Sequence, residues 1–130
     1  MQLKIITHER IVFEGEVEEI VIQTKTGQLG ILKDRLPITT VLDIGVTKIK
    51  QGEVYRYFAT MGGVFQFKDN VATILTDVCE DGQDIDVTRA NAAKNRAESR
   101  LADIAAKIDV QRAQAALARA IARLKAALTK

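Results

Sequence analysis

The 130-residue sequence contains no tryptophan and only one cysteine, one proline and one histidine. Cys79 has no partner for an intramolecular disulfide, and its apolar neighbours favour a buried structural thiol over a nucleophile. His8 has no second histidine, and the single cysteine, which is expected to be buried, leaves too few ligands for a metal-ligand set. The sequence therefore predicts a chain without a disulfide framework or a metal site, kept in a reducing compartment. It offers no catalytic constellation for a hydrolase or a transferase.

Long apolar runs and runs of like charge are also missing. No segment approaches the roughly 18–20 apolar residues that span a bilayer, and the amino terminus lacks a signal-peptide pattern. We therefore expect a protein that is not inserted in a membrane. The chain has no tract of consecutive Lys or Arg and no tryptophan on which bases could stack, so nucleic acid is not expected as a partner.

The composition changes abruptly at Ile85. All eight glycines, the proline and every aromatic residue precede it, and the remaining residues are rich in alanine. Residues 1–84 carry 9 Lys and Arg against 13 Asp and Glu, whereas residues 85–130 carry 10 against 4. We therefore predict a β domain over 1–84 and a helical domain over 85–130. The opposite charges of the two halves point to an acidic partner or an anion as a target of the second half.

Short runs rich in Val, Ile, Thr and aromatic residues recur through the first part and predict short strands. They are Leu3–Thr7, Ile11–Phe13, Val17–Thr24, Gln28–Leu32, Thr39–Leu42, Val46–Ile49, Val54–Thr60, Val64–Phe67 and Val71–Thr76. Glycine, Asp and Asn between them predict turns, including Glu14–Gly15, Asp43–Gly45 and Lys68–Asn70. Gly62–Gly63 predicts a bulge or a close backbone approach, and Pro37 a loop or an edge strand. This pattern is typical of a β-sandwich or barrel.

The second part has helical periodicity. Asp86 is a candidate N-cap for a helix that begins near Val87. Apolar residues recur every three or four positions in two series, Ala90, Ala93, Ala97, Leu101, Ile104 and Ile108, then Val110, Ala113, Leu117, Ile121, Leu124 and Leu128. The break between the helices is expected at Lys107–Asp109. Because these three residues include no glycine or proline, one continuous helix is the alternative.

Six arginines share one spacing on the two helices. Arg89, Arg96 and Arg100 follow the pattern i, i+7, i+11, and so do Arg112, Arg119 and Arg123, which places each trio along one helical face. Two interpretations stay open at this point. The two faces are either solvated surfaces without a specific target, or surfaces that bind a polyphosphate or an acidic partner.

Four segments in this order resemble the epsilon subunit of bacterial F-type ATP synthases: Gly27–Leu32 followed by Pro37, Met61–Val64, Val71–Leu75 and Ile85–Ala90. The resemblance covers nearly the whole chain. It implies an α+β fold in which a ten-stranded antiparallel β-sandwich precedes an antiparallel two-helix hairpin. It also implies a non-catalytic rotor subunit at the cytoplasmic face of the bacterial membrane, which binds the gamma subunit and the membrane c-ring and takes part in proton-driven ATP synthesis.

The resemblance also implies particular site residues. The loop around Gln28, Leu29 and Gly30 faces the c-ring, although Lys33–Pro37 departs from the family's usual Pro-Gly-His sequence. ATP is implied as a regulatory ligand of a site composed of Glu80, Ile85, Asp86, Arg89, Ala90, Arg96, Arg119 and Arg123. The competing interpretation is that Asp86 only caps its helix and pairs with Arg89.

The helical hairpin is expected to control ATP hydrolysis. We expect ATP to favour the compact hairpin, because its candidate ligands lie on both helices and only the antiparallel fold brings them to one molecule. Without ATP, the helices are expected to extend along gamma and contact the alpha/beta catalytic head. A different class of function is a free-standing β-sandwich binding module whose helices form a dimer. A size measurement on the isolated chain and a pull-down with gamma separate the two.

Overall fold

The structure is a computed structural model that describes residues 1–103 and 109–128. Its elements, in chain order, are β1 (Gln2–Ile6), β2 (Ile11–Glu16), β3 (Glu19–Thr24), β4 (Gly27–Leu32), β5 (Ile38–Gln51), β6 (Val54–Lys68), β7 (Val71–Leu75), β8 (Cys79–Asp81), a 3-10 turn (Gly82–Asp84), α1 (Val87–Ala102) and α2 (Val110–Leu128). The expected order of strands first and helices second is confirmed.

The strands form a sandwich around one hydrophobic core. Their hydrogen-bonded order is β2-β1-β7-β6-β5-β3-β4, and β8 pairs with β6 beside this path. Each of the eight strands contributes buried apolar side chains to a single core cluster, including Leu3, Ile22, Phe58, Phe65 and Ile74. Since one continuous sheet encloses one core, the sheet must fold over on itself.

The strand count and the strand direction differ from the expectation. The described residues contain eight strands rather than ten, and β1 pairs with β7 in parallel. The 14-residue β5 joins the two strands that the sequence predicts at 39–42 and 46–49, and the 15-residue β6 likewise joins those at 54–60 and 64–67. The three-residue β8 is too short to produce an alternating pattern and is not among the predicted strands.

Two predicted turns lie inside strands. Asp43–Gly45 belongs to β5 and Glu14–Gly15 to β2. Gly45 is needed for packing rather than for a turn, because a Cβ atom at this position would lie 2.7 Å from Cβ of Gln23. By contrast, the turn at 68–70 is confirmed, with positive φ angles at Asp69 and Asn70. Such angles suit a tight hairpin.

The close backbone approach predicted at Gly62–Gly63 is also confirmed. Gly63 has a φ angle of +115°, and a Cβ atom there would collide with the carbonyl oxygen of Leu75. Pro37 lies in the loop between β4 and β5, as expected.

The two helices form an antiparallel hairpin, since the start of α1 lies beside the end of α2 and the end of α1 beside the start of α2. The predicted start is confirmed: α1 begins at Val87 with Asp86 as its N-cap. It ends at Ala102, and Asp109 accepts a hydrogen bond from the backbone N–H of Arg112 at the start of α2. Ile104, Lys107 and Ile108, named in the predicted apolar series and break, lie outside the described residues.

Helix α2 is the middle element of the molecule, in contact with α1 on one side and with β5, β6 and β8 on the other. The predicted apolar series on this helix is therefore only partly right. Ala113 and Leu124 are buried as expected, but Val110 and Leu128 are exposed. Because α2 packs on two sides, it also buries alanines outside the series, namely Ala120, Ala122, Ala126 and Ala127.

Candidate functional site

The segment that links β8 to α1 carries the predicted nucleotide motif. Asp86 has an extended backbone conformation, and its carboxylate accepts a hydrogen bond of 3.1 Å from the backbone N–H of Arg89. Its carbonyl oxygen accepts from the N–H of Ala90 at 3.0 Å. Asp86 is thus a helix cap, which satisfies one of the free N–H groups of the first turn. This cap begins α1 at the end of the segment that links it to β8.

A cavity of about 450 Å³ opens beside this cap, and we call it the motif cavity. Of the eight residues predicted for the ATP site, seven line it: Glu80, Ile85, Asp86, Arg89, Ala90, Arg96 and Arg123. Asp84 and Ala93 also line it, and the motif gave no indication of either. The structure therefore brings together predicted residues from β8, from α1 and from the far end of α2.

Arg123 links α2 to the sandwich. Its Nε donates to both carboxylate oxygens of Glu80, at 3.2 and 3.1 Å, and its Nη2 donates to Oε1 at 3.0 Å. Both side chains are only partly exposed. A two-pronged contact of this kind is among the stronger ion pairs in proteins. It fixes the end of α2 on the wall of the motif cavity.

The eighth predicted residue, Arg119, lies in a second cavity of about 620 Å³ between the helices. We call this the arginine cavity, because five arginines line it: Arg96, Arg100, Arg112, Arg119 and Arg123. It shares Ala93, Arg96 and Arg123 with the motif cavity, so the two are adjoining compartments. Within residues 1–103 and 109–128, Arg123 is the only one of the five whose side chain forms an ion pair.

The residues predicted to face the c-ring lie on β4, which is an edge strand of the sheet. Gln28 and Gly30 are exposed, while Leu29 is half-buried and packs against the core. The divergent turn that follows is held firmly. Asp34 has a φ angle of +63°, its N–H donates to Oδ1 of Asn70 at 2.6 Å, and its Oδ1 accepts from Nδ2 of Asn70 at 3.0 Å.

One surface feature was not predicted from the sequence. Ile11, Ile6, Leu75, Val64 and Val41 are direct cross-strand neighbours on five adjacent strands. Directly paired residues point to the same side of a sheet. All but the half-buried Ile6 are exposed. We call these five residues the apolar row. The apolar row could have been suspected from the sequence, because apolar residues also occupy positions between core residues, such as Ile6 next to Ile5.

Cys79 behaves as the sequence predicts. It is buried on β8, and its Sγ lies 3.8 Å from the hydroxyl of Thr60. Burial, which disfavours the thiolate, raises the pKa of Cys79 from 9.0 to about 11. The thiol is therefore protonated at neutral pH and is not an activated nucleophile.

The described residues contain no group of three or more His, Cys, Asp or Glu side chains arranged to hold a metal ion. None of the helices in this part of the chain is both long and apolar enough to cross a membrane.

Comparison with protein families matches both parts of the chain. Residues 1–82 match the model "ATP synthase, Delta/Epsilon chain, beta-sandwich domain", and residues 83–127 match "ATP synthase, Delta/Epsilon chain, long alpha-helix domain". The chain is 46% identical over 127 residues to the ATP synthase epsilon chain of Pelotomaculum thermopropionicum, covering 97% of this chain and 94% of the relative. It is 45% identical over 128 residues to that of Symbiobacterium thermophilum, covering 98% and 92%.

Solved structures resemble the fold. A chain of the Euglena gracilis mitochondrial ATP synthase, in a structure of its OSCP/F1/c-ring, aligns with a TM-score of 0.79 at 21% identity, covering 98% of this chain and 80% of the other. A chain from a structure of the central stalk and c-ring of the Tetrahymena thermophila mitochondrial ATP synthase aligns with a TM-score of 0.61 at 19% identity, covering 97% and 95%. At these identities the likeness concerns the fold alone.

Proposed function

The chain belongs to the epsilon-chain family of F-type ATP synthases, and from that membership we propose that it is a non-catalytic rotor subunit with an ATP-sensitive helical hairpin. It couples the gamma subunit to the membrane c-ring during proton-driven ATP synthesis, and its hairpin restrains ATP hydrolysis. Its place is the cytoplasmic face of the bacterial membrane, as a peripheral part of the complex. The observation that carries the regulatory part is the motif cavity, which three separate elements build.

The chemistry of the motif cavity suits a nucleoside triphosphate. Arg89, Arg96 and Arg123 supply planar cations whose N–H groups match phosphate oxygens in pairs. Glu80 and Asp86 supply carboxylates that can accept hydrogen bonds from an adenine amino group, next to the apolar side chain of Ile85. Arg119 reaches the phosphates from the adjoining compartment. A volume of about 450 Å³ is in the range of known small-molecule sites.

The same geometry makes ATP a conformational effector. Arg89 and Arg96 lie on α1 and Arg119 and Arg123 on α2, so only the antiparallel hairpin brings both pairs to one molecule. In one continuous helix, the thirty positions from Arg89 to Arg119 would span about 45 Å. A ligand shifts an equilibrium only by its differential affinity for the two states. Here that difference would be nearly the whole binding energy, and the extended helices would then offer their arginines to acidic surfaces of the alpha/beta head.

The sandwich offers two surfaces for the other partners. The apolar row is a contiguous exposed patch of the kind that marks protein interfaces, and we assign it to gamma. The edge strand β4, with Gln28, Leu29 and Gly30, and the rigid turn after it are assigned to the c-ring.

Calorimetric titration of the purified chain with ATP tests the nucleotide site. We expect binding of one ATP per chain, and Arg89→Ala should weaken it about tenfold or more because a charge-assisted contact is worth about 1.5–3 kcal/mol. Lys94→Ala is the matched control: Lys94 is on the same helix and pairs with Glu98 outside both cavities. If ATP fails to bind, or if both variants bind like the unmodified chain, the arginines belong to a solvated face.

A further inference from the structure

The strands at the two ends of the sheet each have a free backbone edge, and the two edges differ in charge. β2 carries the exposed Glu14 and Glu16, and charges on an edge strand oppose pairing with another chain. β4, at the other end, has the sequence Gly-Gln-Leu-Gly-Ile-Leu, without a charged residue or a proline. Within residues 1–103 and 109–128, β3 is the one strand that pairs with β4. β4 is therefore the less protected of the two edges.

The register of the β3–β4 hairpin shows which backbone groups of β4 face outward. A two-residue turn joins Thr24 to Gly27, and from this hydrogen-bonded closing pair onward, hydrogen-bonded and non-hydrogen-bonded pairs alternate. Gln28, Gly30 and Leu32 lie at the non-hydrogen-bonded positions. Their N–H and C=O groups therefore point away from β3, at the spacing that a further strand requires.

A cavity of about 780 Å³ adjoins the end of β4, and we call it the end cavity. Its apolar wall consists of Met1, Val17 and the largely exposed Leu32. Three carboxylates and one lysine also line it, namely Glu16, Glu18, Asp34 and Lys33. Glu16 and Glu18 are exposed, and their nearest cations are 3.3 and 3.9 Å away. The end cavity therefore suits a large apolar side chain that has a basic residue beside it.

Hydrogen bonds between separate loops hold the wall of the end cavity in place. Nε2 of Gln51 donates to the carbonyl oxygen of Glu16 at 3.0 Å, and the N–H of Gly52 donates to Oε1 of Glu18 at 3.2 Å. A site that is already ordered in the free chain loses less conformational entropy when a ligand binds. The end cavity is thus prepared for an incoming side chain.

We propose that β4 and the end cavity bind an extended peptide segment of a partner protein. The segment adds a strand to the sheet beside β4 and inserts an apolar side chain, with a basic residue next to it, into the end cavity. In this mode of recognition, backbone hydrogen bonds supply affinity and the pocket supplies specificity. The inference does not depend on the rotor function, and none of the three residues assigned to the c-ring lines the end cavity. Because those residues lie on β4, the peptide and the c-ring would compete for this strand.

The test is amide hydrogen exchange, resolved by NMR, on the full chain with and without the synthetic peptide acetyl-Arg-Leu-Thr-Val-Thr-Val-amide at millimolar concentration. We expect slower exchange at Gln28, Gly30 and Leu32, whose N–H groups face outward. Leu29 and Ile31 should change little, because their N–H groups already bond to β3. Protection of alternate residues is the pattern that an added strand produces.

Two pairs of variants separate the edge from the end cavity. Gly30→Pro removes one outward N–H group at an edge position that tolerates proline, and should weaken binding about tenfold. Gly30→Ala keeps this N–H group and is the control, because no atom lies within 4 Å of the added methyl group. Leu32→Gln should weaken binding about fivefold by removing part of the apolar wall. Its control is Leu36→Gln, since Leu36 is also exposed but lies outside the end cavity.

Three results would overturn the proposal. They are no protection of β4 by millimolar peptide, equal losses of affinity in Gly30→Pro and Gly30→Ala, and protection of β4 that rises with protein concentration when no peptide is present. The last result would mean that a second copy of the chain covers the edge. Circular dichroism of each variant verifies that the sandwich is folded. Since gamma, the c-ring and ATP take no part in these measurements, failure here leaves the rotor function untouched.

Discussion

The sandwich and the hairpin use the same residue type in opposite ways. In the sandwich, Cζ of Arg56 lies 5.1 and 5.2 Å from the ring centres of Phe13 and Phe58, and its Nη2 is 2.7 Å from Oδ2 of Asp81. In the hairpin, the half-buried Arg119 has no carboxylate partner within the described residues. The first arginine already has its partners within the sandwich. The second has no such partner within the described residues, which is consistent with the ligand site proposed above.

The two regions differ as much in packing. The largest fully buried side chains, among them Phe58, Phe65 and Phe67, belong to the sandwich, whereas the buried residues of the helices are alanines and Leu124. Apolar burial scales with the area removed from water, so an alanine seam contributes little per residue. The comparison indicates that apolar burial stabilises the sandwich more than it stabilises the hairpin, so the proposed switch would act on the hairpin.

The largest expected effect is on the stability of the sandwich. Phe58→Ala should lower the free energy of unfolding by about 3–5 kcal/mol, since it leaves a cavity in a fully packed core. Leu124→Ala, at the most comparable site of the hairpin, should cost about 2 kcal/mol, the low end for such a change. Urea denaturation followed by circular dichroism measures both. Equal losses would remove the contrast between the two regions.

A smaller effect is expected where the hairpin docks on the sandwich. A Cβ atom on Gly82 would collide with the carbonyl oxygen of Ala126 on α2, so Gly82→Ala should push the helix away at a cost of about 1–3 kcal/mol. Hydrogen exchange should increase in α1 and α2 and stay unchanged in β1–β7. Gly30→Ala is the control, because no atom lies within 4 Å of the added methyl group. Faster exchange throughout the sandwich would show that the two regions unfold as one.

The division at residue 84 is tested by truncation after Asp84. We expect the shortened chain to unfold cooperatively and still bind gamma, because the strands, the core cluster and the apolar row all precede the cut. The loss of stability should be smaller than that of Phe58→Ala, since α2 covers only part of β5 and β6. A disordered product, or one that no longer binds gamma in a pull-down, would contradict the division into two domains.

The smallest expected effect is the contribution of Cys79 to the pH dependence of stability. The pKa of Cys79 is raised to about 11 in the folded chain, so between about pH 9 and 11 the unfolded chain loses this proton and the folded chain keeps it. The contribution of the thiol to stability is therefore complete below pH 9 and is lost as the pH rises toward 11. Cys79→Ala should flatten this decline in thermal melts recorded from pH 8 to 11. An unchanged pH profile would mean that the thiol is solvated in the native state.

The sequence allowed the start of the helical half and the alignment of its arginines to be predicted, because capping and periodicity are local. Asp86 as N-cap, Val87 as the first helical residue and the alignment of arginines along each helix depend on positions a few residues apart. The family motif then named seven residues of the motif cavity. It did not indicate that Arg119 lies in a separate compartment, because that depends on how two helices pack.

The strands were predicted less completely, because their ends depend on distant partners. The chain passes straight through Asp43–Gly45 because β6 continues to pair with β5 on both sides, from Leu42 opposite Gly63 to Ile44 opposite Met61. The three residues of β8 are a strand because β6 offers them an edge. The apolar row likewise exists only in the register of five strands, which no local pattern encodes.

The central claim, that ATP holds the hairpin closed, is tested most directly by a distance across it. Spin labels at Asn91→Cys and Leu128→Cys lie at the same end of the compact hairpin, and both positions are exposed. The buried Cys79 should stay unlabelled. We expect a single short distance with ATP, and without ATP in the complex with gamma a second population near 55 Å, the span of about 37 residues of continuous helix. The same distance with and without ATP, in the isolated chain and in the complex, would contradict the account.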